Sequence, residues 1–235
     1  MNVFAGEFIG TAILIALGNG VVANVVLNKT KGNNGGLIAI TFGWAIAVFI
    51  GVFCATKIGS GAHLNPAITF AMAVAGKIPW SEAPTYIIAQ ITGAMLGSLM
   101  VYIGYRSHYD ATEDGLVKRA TFCTDPAINN PINNLLTEII GTFILAFAVF
   151  FMAAPASSLG ALDAFPVALV VLGVGLSYGG PTGYAINPAR DLGPRLVHAI
   201  LPLKNKASND WGYSWIPVVA PIVGGLIAAF VFKVI

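Results

Sequence analysis

The sequence predicts an all-α membrane protein, with six transmembrane helices and two re-entrant half-helices arranged as an inverted repeat. Three observations predict it. Apolar windows of about 20 residues, the length needed to cross a bilayer core, recur along the chain. The triplet Asn-Pro-Ala occurs twice, at Asn65-Pro66-Ala67 and at Asn187-Pro188-Ala189. GEFIGTAILIALG (residues 6–18) matches TEIIGTFILAFAV (residues 137–149), pairing Glu7 with Glu138 and Gly10-Thr11 with Gly141-Thr142. The 235 residues are 57% hydrophobic and only 9% charged, against about 25% charged in a soluble domain, so the chain lacks a water-facing coat.

The spans are expected at Val3–Leu27, Leu37–Ala55, Ala83–Tyr105, Leu135–Ala154, Ala164–Tyr178 and Tyr213–Val234. The first starts almost at Met1 without a basic leader or a small-residue cleavage site, so it is read as a retained span. Pro66–Val74 and Pro188–Ile200 are too short to cross and follow the Asn-Pro-Ala triplets. Asn is a favoured N-cap and Pro is favoured at the first helical position, so each triplet is a helix start. A helix starting at membrane depth presents free N–H groups and partial positive charge there.

The whole chain, 1–235, is expected to be one membrane domain. Its first repeat covers about 1–105, a connecting loop about 106–131, and its second repeat about 132–235. The connector holds Asp110, Glu113, Asp114, Lys118, Arg119 and Asp125 and is expected to be a solvated loop. The offset between repeats is 131 (138 − 7) at the glutamates and 122 (187 − 65) at the asparagines. An odd number of spans per half makes the second repeat enter from the opposite face, so the two half-helices meet near the midplane.

Four groups of residues carry the candidate chemistry. Asn65 and Asn187 are expected to cap their helices through oxygen and keep a free NH2 for a solute. The segments before them, 60–64 and 181–186, are rich in small residues and read as extended backbone whose carbonyls need water or solute as partners. Arg190 lies about 4.5 Å along the axis from Asn187 on the same face, whereas the matching residue of the first half is Ile68. A guanidinium at membrane depth is costly and faces an aqueous path; the plainer alternative pairs it with Asp191. Glu7 and Glu138 fit two roles: a proton-carrying pair, or, the preferred reading, acceptors for loop N–H groups.

The same composition excludes other classes. A net charge of +2 with scattered basic residues gives no nucleic-acid surface. Cys54 and Cys123 form no disulfide framework or metal-ligand spacing. His63 has no companion ligand, so no metal site and no cofactor are expected. The three histidines and two cysteines are too dispersed for a catalytic constellation, so the chain is not expected to be an enzyme.

SGAHLNPAITF (60–70) and GPTGYAINPARDLGPR (180–195) resemble the two signatures of the aquaporin superfamily, the major intrinsic proteins. Asp191 directly after Asn-Pro-Ala-Arg resembles the glycerol-facilitator branch. The resemblance implies a narrow filter of an aromatic pair, a small residue and an arginine, which falls on Trp44, Tyr184, Gly175 and Arg190, with one extra residue near Gly59. Aromatic faces would take a polyol's carbons while the guanidinium and carbonyls take its hydroxyls. Gly175 is expected to leave open a space that a histidine fills in tighter water filters. Tyr184 stands where many facilitators have Phe and adds a hydroxyl.

The resemblance implies a passive channel for glycerol, water and other small uncharged solutes that excludes protons and ions. Dihydroxyacetone, hydrogen peroxide and protonated lactic acid are further candidate solutes. A secondary transporter with inverted repeats is the alternative. The resemblance also implies a homotetramer in contact with membrane lipid, multi-pass in the cell membrane, with both termini cytoplasmic. The charge count opposes that topology: the inner side would carry Lys57, Lys77 and Lys233, the outer Lys29, Lys31, Arg106, Lys118, Arg119, Lys204 and Lys206.

Overall fold

The computed structural model describes residues 2–152 and 158–235. It contains α1 (Val3–Val26), α2 (Gly36–Ile58), α3 (Pro66–Val74), α4 (Ala83–Gly104), α5 (Arg106–Ala111), α6 (Gly115–Ala120), α7 (Pro131–Phe151), α8 (Phe165–Thr182), α9 (Pro188–Ile200) and α10 (Ile216–Val234). Six helices among the described residues are long and apolar enough to span a membrane: α1, α2, α4, α7, α8 with the short turn before it, and α10. The half-helices α3 and α9 have the expected bounds. Both start at a capping Asn followed by Pro, which presets the helical φ.

The sixth span starts at Ile216 rather than Tyr213, and three other boundaries differ for physical reasons. The second span runs on to Ile58, because nothing breaks the helix before Gly59, whose left-handed conformation ends it. The fourth starts at Pro131, capped by the Asn130 side chain on Asn133 N. Its expected final residues, 153 and 154, lie outside the described residues. The fifth continues to Thr182 through Pro181 before Gly183 turns left-handed. Residues 181 and 182 are therefore helical, not part of an extended segment.

The repeats interlock. Within each, α1 packs on α2 and α4, and α7 packs on α8 and α10; each half-helix also packs on the opposite repeat, α3 on α10 and α9 on α4. Glycines allow these approaches: a Cβ at Gly93 would lie 2.3 Å from Phe8 O, and one at Gly224 would lie 2.4 Å from Ile139 O. Both offsets are 131, so the pseudo-two-fold extends through the helix contacts. Gly93 and Gly97 thus serve internal packing against α1. Ile38, Ile46, Ile88, Ile103 and Phe230 are all more than half exposed, an apolar exterior suited to lipid rather than water. The protein is an integral membrane protein.

The connector is not a simple solvated loop. It folds into α5 and α6, then buries Lys118, Arg119, Phe122, Cys123 and Thr124. Lys118 Nζ donates to Lys204 O, and Arg119 bonds Ser208 O at 3.1 Å and Asp125 at 3.0 Å. Burial pushes the Cys123 thiol up to about 12, so it stays protonated. These contacts clamp the connector to the loop before α10 and carry Phe122 inward, toward α1 and the start of α9.

Candidate functional site

The site begins with two loops of matched geometry. Ala62 and Leu64 in the first, and Tyr184 and Ile186 in the second, all have φ between 39° and 52°. Each left-handed non-glycine residue costs about 1–2 kcal/mol, so something must hold it. Alternation of this kind is neither the extended backbone expected nor a helix. It leaves the carbonyls of Ala62, His63, Tyr184 and Ala185 without protein donors among the described residues.

Buried carboxylates hold the loops. Glu7, fully buried on α1, accepts from His63 N at 2.9 Å, Leu64 N at 2.7 Å, Gln90 Nε2 at 2.8 Å and the Ser60 hydroxyl. Glu138 on α7 accepts from Ala185 N at 2.9 Å, Ile186 N at 2.8 Å and Thr182 Oγ1 at 2.7 Å. Every loop donor in one set maps to the other at an offset of 122. Both carboxylates are occupied by structural donors, which leaves no lone carboxylate pair facing the cavity.

The two asparagines join the loops head to head. Asn65 Nδ2 donates to Ile186 O at 2.8 Å, and Asn187 Nδ2 to Leu64 O at 2.8 Å. The NH2 groups are therefore not free, as the sequence suggested: one hydrogen of each is committed across the pseudo-two-fold, and one remains. Each Oδ1 caps its helix, Asn65 on Ala67 N at 2.9 Å and Asn187 on Ala189 N at 3.0 Å. Pro66, Ala67, Pro188 and Ala189 are buried beside them.

Arg190 follows one turn on. Its Nη1 donates to Phe122 O at 3.4 Å, its only side-chain hydrogen bond to protein among the described residues, and its guanidinium carbon sits 4.4 Å from the Trp44 ring centroid. That cation–π contact is worth about 0.5–2 kcal/mol. Gly18 makes it possible, since a Cβ there would lie 2.2 Å from the Trp44 ring. Tyr184 completes the corner, its hydroxyl buried without a protein partner among the described residues. The space at Gly175 is taken rather than open: a Cβ there would meet Thr41 Cγ2 at 2.7 Å and the Tyr184 ring at 3.0 Å. Gly175 thus acts by admitting the Tyr184 ring.

Asp191 does not pair with Arg190. It is fully buried and holds Arg195 at 2.8 and 3.0 Å, and also accepts from Thr124 N at 2.8 Å and Thr124 Oγ1 at 2.7 Å. Arg195 spends its other N–H groups on Thr124 O, Asn209 O and Asp210 O. Sequence reasoning missed Arg195 and Thr124. The i,i+4 spacing of Asp191 and Arg195 was the available signal for the first; Thr124 had none.

These groups border one cavity of about 320 Å³. Trp44, Tyr184, Arg190, Asn65, Asn187, His63, Met152, Asp163 and Val167 all line it. Leu14, Val48, Ile68, Leu145 and Val171 add an apolar part to the lining. The His63 ring is fixed by Thr69 Oγ1 at 3.1 Å and by stacking on Tyr86 at 4.4 Å. A lining that mixes apolar side chains with paired amides and one cation suits a channel rather than a catalytic pocket.

Fold and site together define a transmembrane pore protein built from an inverted repeat. The chain belongs to the major intrinsic protein family, whose family model matches residues 1–232. It is 51% identical over 233 residues to the glycerol uptake facilitator protein of Streptococcus pneumoniae strain R6, covering 99% of both chains. It is 45% identical to the glycerol uptake facilitator protein of Bacillus subtilis, covering 96% of this chain and 81% of that one. The X-ray structure of the aquaglyceroporin from Plasmodium falciparum superposes with a TM-score of 0.87 at 32% identity, covering 98% of this chain and 94% of that one.

Proposed function

We propose that the protein is a passive channel for glycerol and other small uncharged solutes, and that Trp44, Gly175, Tyr184 and Arg190 form its selectivity filter. The observation that carries this is the juxtaposition in one cavity: the Trp44 face against the Arg190 guanidinium, with the Tyr184 ring lining the same space. A polyol has one carbon face and one hydroxyl face, and this corner offers a matching partner for each. In the same cavity, the Asn65 and Asn187 donors and the loop carbonyls add polar groups to the apolar part of the lining. Glu7 and Glu138 act as loop supports, and Asp191 as the anchor of the outer loops. A coupled transporter has no observation in its favour once both carboxylates are engaged by loop donors.

The chain works in the cell membrane with both termini in the cytoplasm, as a homotetramer surrounded by lipid. Orientation by charge loses force because Lys118 and Arg119 are buried and Lys206 Nζ is bonded to Ala199 O and Leu201 O. Stopped-flow light scattering on proteoliposomes tests the reading, with glycerol, water, dihydroxyacetone, hydrogen peroxide and lactic acid at low pH as solutes. Glycerol permeability is expected well above that of protein-free liposomes. A folded, inserted protein that passes water and excludes glycerol contradicts the proposal.

A further inference from the structure

Asn19, on α1, is 1% exposed and lies outside every motif that marks the pore. Its Nδ2 donates to Phe122 O at 3.2 Å, across 103 residues of sequence. The same carbonyl accepts from Arg190 Nη1 at 3.4 Å. One carbonyl oxygen has two lone pairs, so both donors are accommodated. The opposite amide orientation would set Oδ1 against the carbonyl oxygen, two acceptors face to face, so Asn19 is fixed as the donor.

Phe122 is itself a rigid point. Its ring packs against Tyr109 at 5.6 Å and His198 at 5.2 Å between centroids, and its N–H donates to Arg119 O at 2.8 Å. The residue before Asn19, Gly18, makes room for the Trp44 ring that lies against the Arg190 guanidinium. Two consecutive residues of α1 therefore reach Arg190 through separate intermediaries. We infer that Asn19 is a positioning residue of the filter. It holds the Phe122 carbonyl where it pins one edge of the Arg190 guanidinium, leaving the remaining N–H groups turned to the cavity.

Two observations speak against a merely structural role. Asn19 Oδ1 is buried with no protein partner among the described residues, a burden an apolar side chain would not impose. The repeat supplies the second. Twelve residues after Glu7 stands Asn19, and twelve after Glu138 stands Phe150, which stacks on Phe232 at 4.7 Å. The pseudo-two-fold thus puts Phe150 where Asn19 is and Ile68 where Arg190 is. The amide donor and the cation occur together at one end of the pore and are replaced together at the other.

This inference rests on Arg190 being the filter cation, so its test separates the two. Native protein, Asn19→Leu, Arg190→Val and the double variant are reconstituted, and the ratio of glycerol to water permeability is measured for each. Loss of one positioning hydrogen bond predicts a change of that ratio by about two- to tenfold in Asn19→Leu. No further change is expected when Asn19→Leu is added to Arg190→Val, because the group it positions is gone. Asn19→Ser, smaller and too short to reach the carbonyl, is expected to repeat the shift if the leucine variant does not insert. An unchanged ratio in folded Asn19 variants, or equal shifts in both backgrounds, overturns the role of Asn19. An unchanged ratio in Arg190→Val overturns the filter reading beneath it.

Discussion

In the first half of the molecule the loop entering α3 hangs from Glu7, is braced by the Ser60 hydroxyl, and ends in Asn65. In the second half the loop entering α9 hangs from Glu138, is braced by Thr182, and ends in Asn187. The left-handed residues and cross-bonds correspond one to one at an offset of 122, and the carboxylate acceptors at 131. The side chains facing away from that frame do not correspond. Ile68 becomes Arg190, Thr69 becomes Asp191, His63 becomes Ala185, and Gln90 becomes Pro221 at the helix offset of 131. In the first half Thr69 bonds Gln90, which bonds Glu7, a closed network of neutral groups around one carboxylate. In the second, Asp191 turns to Arg195 and Thr124 and, through them, ties down the connector and the loop before α10. The frame that strains the backbone is kept symmetric. The groups proposed to choose a solute, Trp44, Tyr184 and Arg190, have no counterparts at the matching positions of the other half.

Breaking the unmatched pair should have the largest effect. Asp191→Ala strips a fully buried Arg195 of its counter-charge, a loss of about 3–5 kcal/mol. Thr69→Ala at the equivalent position removes only neutral hydrogen bonds, about 0.5–1.5 kcal/mol each. Thermal unfolding of the purified variants in detergent should rank them in that order, and comparable losses would show that the two positions are alike after all.

Next come the matched carboxylates. Glu7→Gln and Glu138→Gln each set an NH2 against loop backbone donors, at about 1–3 kcal/mol per unsatisfied group. Both should lower stability and yield, and by similar amounts. Neither should reveal proton coupling, because none exists: solute flux in the native protein is expected to ignore an imposed pH gradient. Uphill accumulation of solute driven by protons would refute the loop-support role.

Smallest is Tyr184→Phe, which deletes a hydroxyl that no protein group engages among the described residues. Folding should be unaffected, while the balance between glycerol and water shifts a few-fold, as one hydrogen bond of about 0.5–1.5 kcal/mol allows. Lost flux in a folded protein would give Tyr184 an essential role that the geometry does not.

Much of this frame was legible in the sequence because each part uses a local rule. Asn-Pro fixes the start of α3 and α9, and hydropathy places the spans to within a few residues. The glutamates stood out because a carboxylate in an apolar run demands partners. What was not legible depends on folding at a distance. The commitment of each Asn amide to the opposite loop comes from bringing residues 65 and 186 together, and no local pattern encodes that. The polar connector read as solvent-exposed because Lys118 and Arg119 carry charge, yet carbonyls and Asp125 bury them. Asn19 was silent in the sequence because a single Asn in a span has no periodicity to give it meaning.

One-sided charge on a symmetric frame is expected to let polyols through and stop protons. Each half-helix contributes roughly +0.5 elementary charge at its N-terminus, both ends converge at the asparagines, and Arg190 adds a full charge at the filter. An arginine and half-helix dipoles are the recognised means of proton exclusion in aquaporin-type pores. The direct measurement is glycerol and proton flux on the same proteoliposomes, native and Arg190→Val, with light scattering for one and an entrapped pH dye for the other. The native protein should equilibrate glycerol while a pH gradient persists. Arg190→Val should leak protons measurably yet still resist potassium, since the central dipoles remain. Native vesicles whose pH gradient collapses as fast as glycerol enters would contradict the account.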